Sequence, residues 1–72
     1  MKTVYVLRCR ESGDPIDWFD SYDEARNTLN DFEYSDTEEG IYEENFYEIV
    51  VYQTDTEVGD LFKFVKTAKR ID

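Results

Sequence analysis

Two stretches of this chain are apolar on both faces of an extended backbone, and that feature restricts its folding more than any other. Successive side chains of a strand point to opposite sides. In Phe46-Tyr47-Glu48-Ile49-Val50-Val51-Tyr52, one side carries Tyr47, Ile49 and Val51 and the other Phe46, Val50 and Tyr52. Val4-Tyr5-Val6-Leu7 is likewise an unbroken apolar run. A sheet made from such strands must be covered twice, and one helix covers it once. The chain has 72 residues to do this with, which is room for one small domain spanning residues 1–72.

The local signals order the elements. Lys2 to Cys9 is rich in β-branched and aromatic types, Glu11-Ser12-Gly13-Asp14-Pro15 is a dense turn signal, and Ile16 to Phe19 reads as a short return strand. Ser21 and Glu24 fit the S-x-x-E capping box that opens a helix at Tyr22. At about 100° per residue, Tyr22, Ala25, Leu29 and Phe32 share one face, with Asp23, Glu24 and Asp31 opposite. Asp36 would rotate back into the apolar face, so the helix is expected to fray around Tyr34 to Asp36, leaving Ser35 to Glu44 as loop. The fold class that follows is α+β: a three-stranded antiparallel sheet in the order 2-1-3, with ββαβ topology and the first strand central.

The tail decides how the second sheet face is closed. Val58, Leu61, Phe62, Val65 and Ala68 follow helical spacing, and the basic residues Lys69 and Arg70 suit a helix C-terminus. A C-terminal helix over residues 57–71 is therefore favoured over the rival, a fourth strand hairpinned to the third. The rival would leave an apolar sheet face containing Phe46, Val50 and Tyr52 open for self-association.

Composition bears on function mainly by exclusion. There are 18 acidic and 8 basic residues and no histidine, for a net charge of −10. An acidic surface opposes phosphate backbones, so direct nucleic-acid binding is not expected. Without histidine the commonest general base and metal ligand is missing. Cys9 is the only cysteine, which precludes an intramolecular disulfide and a cysteine zinc site; flanked by Arg8 and Arg10, it reads as a small core residue beside the alternative of a reactive thiol. Ser21 is a cap without a base to activate it. Asp36-x-Glu38-x-Gly40 and Asp55-x-Glu57-x-Gly59 only loosely echo calcium loops and miss their full pattern. No catalytic residue, metal or cofactor is expected, and no apolar run is long enough for a signal peptide or a membrane span. A cytoplasmic protein that makes no membrane contact is the expectation.

The charge is unevenly placed. Residues 1–10 and 61–72 are each net +3, whereas residues 11–60 hold 17 acids against the single base Arg26. A charge run of this sort ordinarily serves as a solvated face. The functional reading beside it is a surface that imitates nucleic acid, with carboxylates in place of phosphates. On that reading Asp23, Glu24, Asp31, Glu38, Glu39, Glu43 and Glu44 form the partner-binding face, with Tyr34 and Tyr42 as aromatic anchors.

Two segments, residues 8–25 (RCRESGDPIDWFDSYDEA) and residues 38–50 (EEGIYEENFYEIV), resemble small acidic hypothetical proteins carried by phages and prophages of Gram-positive bacteria. The shared features are a turn, a capped helix start and an aromatic strand, so the resemblance transfers no active-site residue. It implies a viral, non-enzymatic accessory protein acting in the host cytoplasm. Its partner would be a basic protein surface, such as the nucleic-acid site of a host factor, and an anti-CRISPR role would be one form of this. The alternative is a structural or assembly module that pairs through the open sheet face, so monomer and homodimer both remain open.

Overall fold

The computed structural model describes residues 1–71. Strand β1 (Lys2–Cys9) turns through Gly13, whose φ of 76° is the left-handed region open to glycine, into β2 (Pro15–Phe19). The turn is closed by backbone bonds from Gly13 N to Cys9 O at 2.8 Å and from Cys9 N to Asp14 O at 3.1 Å. Helix α1 (Tyr22–Glu39) then leads to β3 (Tyr47–Thr54), α2 (Leu61–Thr67) and β4 (Lys69–Arg70). The sheet is antiparallel throughout, in the order β2-β1-β3-β4. The expected order of the first three strands and the central place of β1 are present.

Register assigns the two faces. Val4 lies opposite Tyr52 and Val6 opposite Val50, while Tyr5 lies opposite Val51, Leu7 opposite Ile49 and Cys9 opposite Tyr47. The first set, with Val58 and Phe64, forms a buried cluster against which Trp18, Leu61, Val65 and Ala68 pack. Tyr52 and Phe64 meet edge to face at 5.6 Å. The second set lies under α1: Leu7, Ala25 and Leu29 are buried, Tyr5 touches Tyr22, and Phe32 touches Tyr47. The two helices therefore occupy opposite faces of one sheet, as the two-sided apolar strands require.

Four readings are corrected. The sheet has four strands: Leu61 to Lys66, where the rival reading placed a strand, belongs to a seven-residue helix, and a two-residue strand follows it, pairing Lys69 and Arg70 with Gln53 and Tyr52. The helix is shorter than residues 57–71 because Asp60 caps it, its Oδ1 accepting from Lys63 N at 3.3 Å. This start turns Phe64 inward and leaves Phe62 exposed. The sheet face containing Phe46, Val50 and Tyr52 is not open, since Val50 and Tyr52 are only 1% and 4% exposed beneath Val58 and α2.

The fourth correction concerns α1, which does not fray near Asp36 but continues to Glu39. Asp36 does rotate back toward the sheet, where its Oδ2 accepts a hydrogen bond from the Tyr47 hydroxyl at 2.7 Å. Gly40, with φ 76°, then ends the helix by a Schellman pattern in which Gly40 N donates to Thr37 O and Ile41 N to Asp36 O. Glu38 and Glu39 belong to the last helical turn, not to a loop. Among the described residues no helix is long and apolar enough to cross a membrane.

Phe64 supplies much of the cover over the second face, so Phe64→Ala should lower unfolding free energy by about 3–5 kcal/mol and expose Val50 and Tyr52. Urea denaturation and binding of a hydrophobic dye measure both effects; an unchanged midpoint would contradict this packing.

Candidate functional site: an acidic helix face

The sheet-facing stripe of α1 is Ala25, Leu29, Phe32 and Asp36, so helical geometry sends Asp23, Glu24, Asp31, Tyr34 and Glu38 outward, with Glu39 to one side. Tyr42, Glu43 and Glu44 follow in the loop beyond Gly40. All nine of these predicted binding residues are exposed. The two aromatic members are conspicuous for their size, Tyr34 being 69% and Tyr42 47% exposed. The helix thus brings five of the nine onto one outer face and Glu39 beside it, while the loop carries the other three past its end.

None of these carboxylates takes part in the ion pairs among the described residues. Those pairs engage other acids: Arg8 and Arg10 with Glu48, Lys2 with Asp20, and the N-terminal amine with Asp55. Lys63 and Lys66 lie on α2, across the sheet from α1, and Arg70 of β4, opposite Tyr52, shares the α2 face, whereas Lys69, opposite Gln53, is on the α1 face at the sheet's edge. Helix α1 carries seven acids and only Arg26 as a base.

The pattern along the helix is regular but open. Glu24, Asp31 and Glu38 recur every seventh residue, a separation of about 10 Å at the α-helical rise, thickened at the ends by Asp23 and Glu39. Duplex DNA is denser, with one phosphate per ~3.4 Å of axis on each strand. The stripe presents a row of anions without reproducing phosphate spacing.

Helix electrostatics treats the two ends differently. Asp23 and Glu24 sit in the first turn, where the macrodipole favours them, and Ser21 Oγ accepts from Glu24 N at 3.1 Å. Glu38 and Glu39 lie in the last turn, which has no basic residue; there each opposes the dipole by a few tenths of a kcal/mol, on the order of 0.3–1. Helix stability alone would place lysines at these positions.

Two side chains that matter to the site were not singled out from sequence as part of it. Asp36 anchors the C-terminal half of α1 to β3 through Tyr47, and its off-pattern position on the apolar face was the available signal. Glu48 ties the ends of β1 and β3 by meeting Arg8 and Arg10, and Arg10 Nε donates to Asn45 O at 3.0 Å. Burial, reinforced by the Asp36 hydrogen bond and charge, pushes the Tyr47 phenol up to about 12.

Cys9 is half-buried on the α1 side of the sheet. A concavity of about 520 Å³ lies away from α1 between Met1-Lys2 and Thr54-Asp55-Thr56-Glu57. Among the described residues no three histidine, cysteine or acidic side chains converge as a metal site. No protein-family model, curated protein or solved structure matches the chain. The resemblance to acidic phage proteins therefore rests on the quoted residues alone.

Because the Tyr47 phenol titrates above its unfolded value of ~10, the folded state holds a proton that the unfolded chain loses. Its contribution is complete below about pH 10 and is lost as pH rises toward 12. Ultraviolet titration should show one tyrosine ionising late, and Tyr47→Phe should remove that late step and flatten the stability loss between those pH values.

Proposed function

We propose that the chain is a non-enzymatic recognition module whose acidic α1 face, with Tyr34 and Tyr42 as anchors, captures a basic protein surface. One observation carries the reading: the exposed carboxylates of Asp23, Glu24, Asp31, Glu38, Glu39, Glu43 and Glu44 take no part in the ion pairs among the described residues. The position of Glu38 and Glu39 supports it, since a helix terminus that gives up stability to keep like charges is a familiar trade between folding and function.

The partner fitting this face is cationic over several turns of helix and has room for two tyrosines. The nucleic-acid channel of a host defence or replication factor is such a surface, and the resemblance to phage proteins agrees with it. Because the anions are spaced more widely than phosphates, the mimicry is of charge and not of backbone geometry. Association should be fast at low salt and weaken steeply as salt rises.

The test is affinity capture from a lysate of a Gram-positive bacterium at low and high salt, read by mass spectrometry, with a charge-reversed variant alongside. Asp31→Lys, Glu38→Lys and Glu39→Lys together should abolish salt-sensitive capture, while Glu38→Lys and Glu39→Lys raise the melting temperature by relieving the dipole clash. Capture by the reversed variant equal to that of the parent would overturn the proposal.

A further inference from the structure

The outer edge of β3 is only half paired. β4 pairs with Tyr52 and Gln53, and Ile71 N donates to Val51 O at 3.0 Å; among the described residues no strand pairs with Tyr47 to Val50 on that side. Arg10 N donates to Phe46 O from the β1 side, so the even-numbered residues of β3 bond inward and the odd-numbered ones outward. The N–H and C=O groups of Tyr47 and Ile49 therefore face away from β1 along an open edge.

Proteins protect such edges with prolines, charges, bulges or brevity. The β2 edge has Pro15, Asp17 and only five residues. The β3 edge reads Tyr-Glu-Ile-Val, and the one charge in it, Glu48, is engaged by Arg8 and Arg10. An unguarded ladder of this type accepts another strand.

The flank of α1 beside this edge identifies the occupant. Arg26, with Tyr22 and Leu29, lines a groove of about 270 Å³ whose other wall includes Tyr47, Glu48 and Ile49. Glu33 lies seven residues further along the same flank and is close enough to act on Tyr47. The only base of α1 and one half-buried acid thus face the open edge, while the outer acids point elsewhere.

The geometry points to a second copy of this chain as the occupant: β3 pairs with β3 of the other copy about a twofold axis, joining two four-stranded sheets into one of eight strands. The axis lies at Glu48, with Tyr47 of each copy facing Ile49 of the other. β4 confines the new ladder to these residues. Across the axis the two α1 helices run antiparallel, so Arg26 of each copy meets Glu33 of the other, the reciprocal pairing a twofold interface requires. The two Glu48 carboxylates meeting at the axis come already matched by Arg8 and Arg10 of their own chains. This surface is separate from the outer acidic face, which the dimer leaves open on both copies.

Sedimentation equilibrium of the full chain over a wide concentration range tests the dimer. The parent should show a reversible monomer–dimer equilibrium. Arg26→Glu and Glu33→Arg should each weaken it about tenfold or more, since each places like charges at both contacts. An equimolar mixture of the two variants should recover dimer, and the double variant should recover it alone, because every cross-axis pair is then opposite in sign. In the parent, amide exchange at Tyr47 and Ile49 should slow as concentration rises, a readout that depends on no variant folding. A parent that stays monomeric to millimolar concentration, a dimer indifferent to both reversals, or a dimer in which those amides exchange as in the monomer would overturn the inference.

Discussion

Cover over both faces of the β1–β3 pair is the constraint on which the rest depends. Alternation puts Val4, Val6, Val50 and Tyr52 on one side and Tyr5, Leu7, Ile49 and Val51 on the other. Neither set can face water without forfeiting about 1.5–3 kcal/mol for each side chain. A chain this small reaches few kcal/mol in total, so each face must have its own lid. The long helix between β2 and β3 closes one, and the tail closes the other by about two helical turns, with Val58 packed in before them.

This division of labour separates charge from burial. Helix α1 needs only a narrow apolar stripe to hold its face, because Leu7, Ala25 and Leu29 fill it and Tyr5, Phe32 and Tyr47 finish its flanks. Its remaining circumference is free for acidic residues. The bases needed to steady the ends of the strands, Arg8 and Arg10, are taken up by Glu48, and Lys63 and Lys66 of the tail lie on α2 beyond the sheet. The acidic surface is a consequence of where the scaffold does not need side chains.

Much of this was legible in the sequence because it depends on short-range periodicity: the two-sided strands, the Ser21 cap and the central place of β1. What escaped depends on contacts between residues distant along the chain. Asp36 looked like a helix breaker on the apolar face, since its partner Tyr47 is eleven residues away and only the folded sheet brings them together. The tail looked like a choice between helix and strand, although Asp60 and Ala68 bound a helix short enough to leave residues for both. Phe62 and Phe64 differ in fate for the same reason: the cap sets the phase, and a shift in starting residue exchanges which ring is buried. Exposure of the acidic residues was foreseeable from polarity; their absence from the ion pairs among the described residues was not, because it depends on where the fold places each base.

Lys63 and Lys66 of α2 lie across the sheet from the carboxylates of α1, and this has a mechanical consequence. The molecule carries a permanent moment roughly normal to the sheet, so an approaching cationic surface exerts a torque as well as a pull. Within a screening length, near 8 Å at physiological ionic strength, that torque turns α1 toward the approaching surface before the two touch. Fewer collisions are then wasted on the wrong side of a molecule whose two faces would otherwise be met equally often.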